Sequence, residues 1–84
     1  MVERHTFLIE AQPLADVVLR VLAPFAVQGA QILAMEAAES GSRTSIRIDA
    51  ARIDAETAGH LVERLRAMPA VVIVGLVWRA AAAA

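Results

Sequence analysis

The sequence predicts an α+β fold, a four-stranded antiparallel sheet with two helices on one face, and three observations lead there. Two stretches, 14–28 and 54–68, repeat apolar residues at three- and four-residue steps, the period of a helix with one buried face. Four other stretches are short and either alternate or stay apolar throughout, as strands do. Ser40-Gly41-Ser42 is a turn signal between two of those strands, which therefore pair as a hairpin. The resulting order, βαββαβ, is the ferredoxin-like split βαβ plan. Right-handed crossovers place the first and third strands at the centre and leave the second and fourth as edges.

The first strand spans His5 to Ala11, with Phe7 and Ile9 on one face and Thr6, Leu8 and Glu10 on the other. Gln12-Pro13 ends it, because proline offers no N–H to a sheet and restricts its predecessor. A helix is expected from Leu14 to Gln28, with Leu14, Val17, Val18, Val21, Leu22 and Phe25 as its apolar stripe. Asp16 falls in its first turn, where a negative charge suits the helix dipole. Pro24 removes a helical hydrogen bond at a cost of about 3 kcal/mol, so a kink near Arg20–Ala23 or a break is expected. In FAVQGAQILAM, residues 25–35, the helical rhythm stops at Gly29 and a two-residue rhythm begins at Gln31. Gly29 suits a left-handed helix cap.

The second strand is expected over Gln31–Glu39, with Ile32, Ala34, Glu36 and Ala38 on one face and Leu33, Met35 and Ala37 on the other. The third, Arg43–Ala50, sets Thr44, Ile46 and Ile48 against Arg43, Ser45, Arg47 and Asp49, one dry face and one wet. Asp54 is an N-cap residue with Glu56 just inside the next helix. That helix buries Ala58, Leu61, Val62, Leu65 and Met68, turns Glu63, Arg64 and Arg66 to water, and stops at Pro69. Val71–Arg79 is the last strand, apolar on both faces. Such an edge invites pairing or covering.

With 84 residues the chain makes one domain, residues 1–79, followed by a low-complexity alanine tail, 80–84. Its apolar fraction is 58%, above the usual 45–50% or so. A domain this small buries only part of its surface and has no cysteine to brace it. Burial against another chain is the simplest use of that apolar excess. The net charge is −1, from eight Arg, no Lys and nine acids, so no basic patch points to nucleic acid. No apolar run reaches the length of a membrane span, and MVERHTFLIE lacks a secretory pattern, so a cytoplasmic location is expected.

Catalytic chemistry has few candidates. His5 and His60 are the obvious general bases, and both are expected at solvated surfaces. Neither has a second His or a Cys at ligand spacing, so no metal, cofactor or catalytic residue is assigned. Arg43, Arg47 and Asp49 share a strand face, either as a solvated salt-bridged surface or as a patch for an anion or a larger subunit. Trp78 either seals the core or marks an interface. Turn geometry and close strand approach account for Gly41 and Gly75.

HTFLIEA, the helix ending PFAVQG, the following AQI, SIRIDA, LVERLRAMPAV and VVIVGLVW together resemble an ACT domain over residues 5–79. The overall pattern is most similar to the short regulatory subunit of acetolactate synthase, little more than one ACT domain. The resemblance implies a homodimer, often side by side with a continuous eight-stranded sheet. It implies a small ligand, commonly an amino acid, near the first strand-to-helix loop and across the dimer interface. It also implies a non-catalytic role: activating a large thiamine-diphosphate subunit in branched-chain amino-acid biosynthesis. Carried onto this chain, ligand or partner contacts fall on Gln12, Leu14, Asp16, Gln31 and Ile32. One departure is visible. Ligand-binding members have a glycine early in the first helix, whereas this chain has Gln12-Pro13-Leu14-Ala15-Asp16. An acid at 16 would repel a carboxylate that the helix N-terminus alone would attract. Valine-insensitive small subunits also tend to lack that glycine. Two alternatives stand beside the activator: a free-standing amino-acid-sensing ACT dimer, and a small dimeric ferredoxin-like enzyme, for which the ionisable residues look too scattered.

Overall fold

Strands β1 (Glu3–Ala11), β2 (Gln31–Ser40), β3 (Arg43–Ala51) and β4 (Val71–Ala80) form one antiparallel sheet in the order β2-β3-β1-β4. Helices α1 (Val17–Val27) and α2 (Ala55–Arg66) complete the βαββαβ order. The computed structural model describes the backbone of residues 3–80 and the side chains of residues 4–77. The side chain of Trp78 and most of the expected alanine tail therefore lie outside the described residues. Central β1 and β3 and edge β2 and β4 are as the crossover rule requires.

The core lies between the sheet and the helices. Phe7, Ile9 and Ala11 of β1 and Ile46 and Ile48 of β3 meet Val17, Val21 and Phe25 of α1 and Ala58, Leu61 and Leu65 of α2. Phe7 and Phe25 pack edge to face, with ring centroids 4.8 Å apart and planes at 88°. This geometry brings a positive ring edge onto a negative ring face.

Helix α1 departs from expectation at both its start and its middle. It begins at Val17, not Leu14. Residues 12–16 instead turn tightly, with Leu14 N–H donating to Gln12 C=O and Val17 N–H to Leu14 C=O. Leu14 thus leaves the apolar stripe and is 45% exposed. Asp16 occupies the cap position without capping, because its carboxylate accepts from Arg20 Nε at 2.7 Å. The helix is not broken at Pro24, which lies inside it and is buried. The tertiary contact of the Pro24–Phe25 face with the core offsets the lost hydrogen bond.

The helix ends as expected. Gly29, at φ +73°, donates to Ala26 C=O, and Ala30 donates to Phe25 C=O, the two bonds of a Schellman motif. An added Cβ on Gly29 would meet nothing within 4 Å, so the cost of Gly29→Ala is backbone strain alone, about 1–2 kcal/mol. Gly59 in α2 also has open space around it but ordinary helical geometry. Gly59→Ala should stabilise by roughly 0.5–1 kcal/mol. Chemical denaturation of the two variants beside the parent checks both signs.

At α2, the Asp54 carboxylate accepts from Thr57 N–H at 2.7 Å. That backbone bond holds the carboxyl below its ordinary value. A depressed folded-state pKa means the cap stabilises the fold fully above the unfolded pKa, near 3.8, and loses this as pH falls through the folded value. Asp54→Asn keeps an acceptor but cannot titrate. Its helical signal should therefore fall less between about pH 5 and 2 than the parent's in parallel acid titrations. Helix α2 stops at Arg66, three residues before Pro69, and Met68 packs against the core from beyond the helix.

Strand β2 carries the largest surprise. All ten of its residues are exposed, and none of them belongs to the buried core. A register shift between Ile32 and Ala34 leaves Leu33 as an extra residue. Ile32 pairs with Ala50 and Ala34 with Asp49, so the two do not share a face as simple alternation predicts. The β2–β3 turn has Gly41 at φ +63° between Ser40 and Arg43. Gly75 is not required by close approach, since a Cβ there would sit 3.9 Å from Leu8 O.

Candidate functional site

The β1–α1 loop and the β2–β3 turn emerge at the same end of the sheet. Ala11 pairs with Thr44, and Thr44 with Glu39, so the chain leaving β1 passes beside the end of the hairpin. Between them lies a groove of about 350 Å³. Pro13, Leu14 and Ala15 form one lip, Val17 and Val18 of α1 one wall, and Ala37, Ala38, Glu39 and Thr44 the other. Thr44 is buried, at 6% exposed, yet lines the groove.

The predicted site residues separate. Leu14 lines the groove. Gln12 and Asp16 are exposed on the same loop, with Gln12 N–H bonded to Ala70 C=O and the Asp16 carboxylate taken up by Arg20. Asp16 therefore presents a paired charge instead of a bare one. Gln31 and Ile32 lie at the far end of β2, six residues and roughly 20 Å of strand from Ala37. Both are exposed on the sheet edge and neither lines the groove. Glu39 and Thr44 were missing from the sequence-derived set. The pairing Ala11–Thr44–Glu39 could have found them, had the hairpin been carried through to register.

The open sheet face is polar on one side and apolar on the other. Thr6 Oγ1 donates to Asp49 Oδ1 at 2.8 Å, and Arg47 approaches Asp49 at 3.4 Å and Glu36 at 3.9 Å. Ser45 donates to Glu10 at 2.6 Å. Of the three residues expected on this face, Arg47 and Asp49 pair, with Asp49 buried, and Arg43 makes no ion pair among the described residues. A second hollow of about 250 Å³ lies over Leu8, Glu36 and Arg47, and its charges satisfy one another. Leu8, Ile73 and Val77 are exposed on the apolar side.

His60 is exposed on α2 as expected, but His5 is not at the surface. It is 1% exposed, and neither ring nitrogen has a hydrogen-bond partner among the described residues. The alternation explains this: His5 shares the parity of Phe7 and Ile9 and so points to the helix side. Among the described residues no group of His, Cys, Asp and Glu is arranged to hold a metal ion, and no helix is long and apolar enough to cross a membrane.

No protein-family model and no curated protein matches the sequence. Solved structures do match the fold. The ACT domain from GTP pyrophosphokinase of Chlorobium tepidum superposes with a TM-score of 0.78 at 9% identity, over 92% of this chain and 100% of that one. The C-terminal domain of the MgtC protein from Mycobacterium tuberculosis gives 0.76 at 12% identity, over 93% and 88%. The regulatory subunit of aspartate kinase from Thermus thermophilus gives 0.69 at 16% identity, over 93% of this chain and 50% of that one. The chain therefore has the ferredoxin-like fold found in ACT domains.

Proposed function

We propose that this protein is a non-catalytic regulatory module of the ACT type, working as a homodimer. The observation that carries the reading is β2: a ten-residue sheet edge, exposed along its whole length, with Ile32, Leu33 and Met35 facing water. An open edge of that length is a template for another strand. Two β2 edges meeting about a twofold axis would make a continuous eight-stranded sheet. The apolar strip of Leu8, Ile73 and Val77 on the open face then remains for a larger partner. The partner proposed is a thiamine-diphosphate large subunit of the acetolactate synthase type, with this chain as its activating small subunit in the cytoplasm. Mixing the purified chain with such a large subunit should raise its turnover. An unchanged rate at saturating chain would eliminate the activator.

The groove supports a second reading, a free-standing sensor of a small amino acid. Leu14 and Val18 offer an apolar wall for a short aliphatic side chain. A ligand at 100 times its dissociation constant stabilises by about 2.7 kcal/mol, so a melting scan with single amino acids tests it directly. A flat scan across the aliphatic amino acids counts against the sensor and leaves the activator standing.

A further inference from the structure

The groove beside the β1–α1 loop has a charge character that narrows its ligand. Glu39 is the one ionisable side chain among its lining residues, which include no Arg, Lys or His. Other carboxylates nearby are occupied. Asp16 is paired with Arg20, Glu36 and Asp49 with Arg47, and Glu10 accepts from Ser45. Glu39 makes no ion pair among the described residues. It is the direct cross-strand partner of Thr44, so the two side chains stand on one face, Cβ atoms about 5 Å apart. Thr44 is nine-tenths buried and lines the same groove, and its hydroxyl makes none of the side-chain hydrogen bonds found among the described residues.

We infer that the groove binds a small aliphatic primary amine through its ammonium group, held by the Glu39 carboxylate and the Thr44 hydroxyl, with its hydrocarbon body against Leu14 and Val18. This deepens the sensor reading and rests on it. Carboxylate recognition needs a cation or free N–H donors facing the ligand. The groove lining holds no cation. An ammonium finds the opposite conditions: a carboxylate with no ion pair among the described residues, a hydroxyl acceptor beside it, and apolar side chains next to both. A carboxyl group on the ligand finds no cation in the lining and faces the Glu39 carboxylate.

Four probes separate the contributions: 3-methylbutylamine, leucinamide, leucine and 3-methylbutanoate, each titrated calorimetrically at neutral pH. The amine and leucinamide should bind, leucine more weakly than leucinamide, and the acid without measurable heat. Glu39→Gln should weaken the amine by roughly tenfold, the scale of one charge-assisted hydrogen bond. Glu36→Gln, on the open face, should leave it unchanged. If leucine and the acid bind while the amine does not, the inference fails and the sensor survives. Binding of the amine that ignores Glu39→Gln overturns the proposed anchor. If none of the four binds, sensor and inference fall together.

Discussion

Phe25→Ala is expected to cost about 3–5 kcal/mol and to lower the midpoints of thermal and urea unfolding sharply. Phe25 is fully buried, stands edge to face on Phe7, and joins α1 to the centre of the sheet. Its C=O accepts from Ala30 at the helix end, a backbone bond that the substitution leaves in place, so the loss reports the ring alone. Small domains hold only about 5–15 kcal/mol of net stability, and a loss on this scale consumes much of it. Circular dichroism during thermal and urea unfolding reads the effect. Leu19→Ala is the control: Leu19 is on the same helix but 72% exposed, so its removal should change stability by no more than about 0.5 kcal/mol. Equal losses at the two positions would mean that the helix does not pack as described.

Charging the β2 edge should convert a dimer into a folded monomer. Leu33 and Met35 are 40% and 39% exposed, so Leu33→Asp with Met35→Asp removes little from the core. Two like-charged edges brought together would repel, and their carboxylates would lose water without gaining partners. Sedimentation velocity should show the parent at twice the chain mass and the double variant at once, with the same circular dichroism spectrum. A parent that is already monomeric at high concentration removes the dimer from the proposal. A variant that stays dimeric moves the interface to β4 or to the open face, where Ile73 and Val77 are exposed.

These two variants probe different depths of what the chain encodes. The Phe25 contact was readable in advance, because the residue recurs in step with Val17, Val18, Val21 and Leu22. The bareness of β2 was not. Its alternating pattern resembles that of β3, yet β3 is central and β2 is an edge whose residues all stay exposed. Local patterning records which residues can be buried, and only the placement of the helices says which are. The same distinction explains His5, whose polarity suggested water while its parity placed it among Phe7 and Ile9. It also explains the groove. Leu14 continues the helical period in the sequence, but the turn after Pro13 withdraws it from the helix and makes it a lip.

The amino-acid sequence alone determined the element order, the edge and centre positions of the strands, the Gly29 cap, the Asp54 cap and the hairpin at Gly41. Each of these follows from local backbone preferences, from hydrophobic period, or from the handedness of crossovers. Tertiary structure decided the start of α1, its continuity through Pro24, the bulge at Leu33, the burial of His5 and the meeting of Glu39 and Thr44 with Leu14. Those depend on register and packing between segments distant in the chain, where a shift of one residue turns a side chain to the other face.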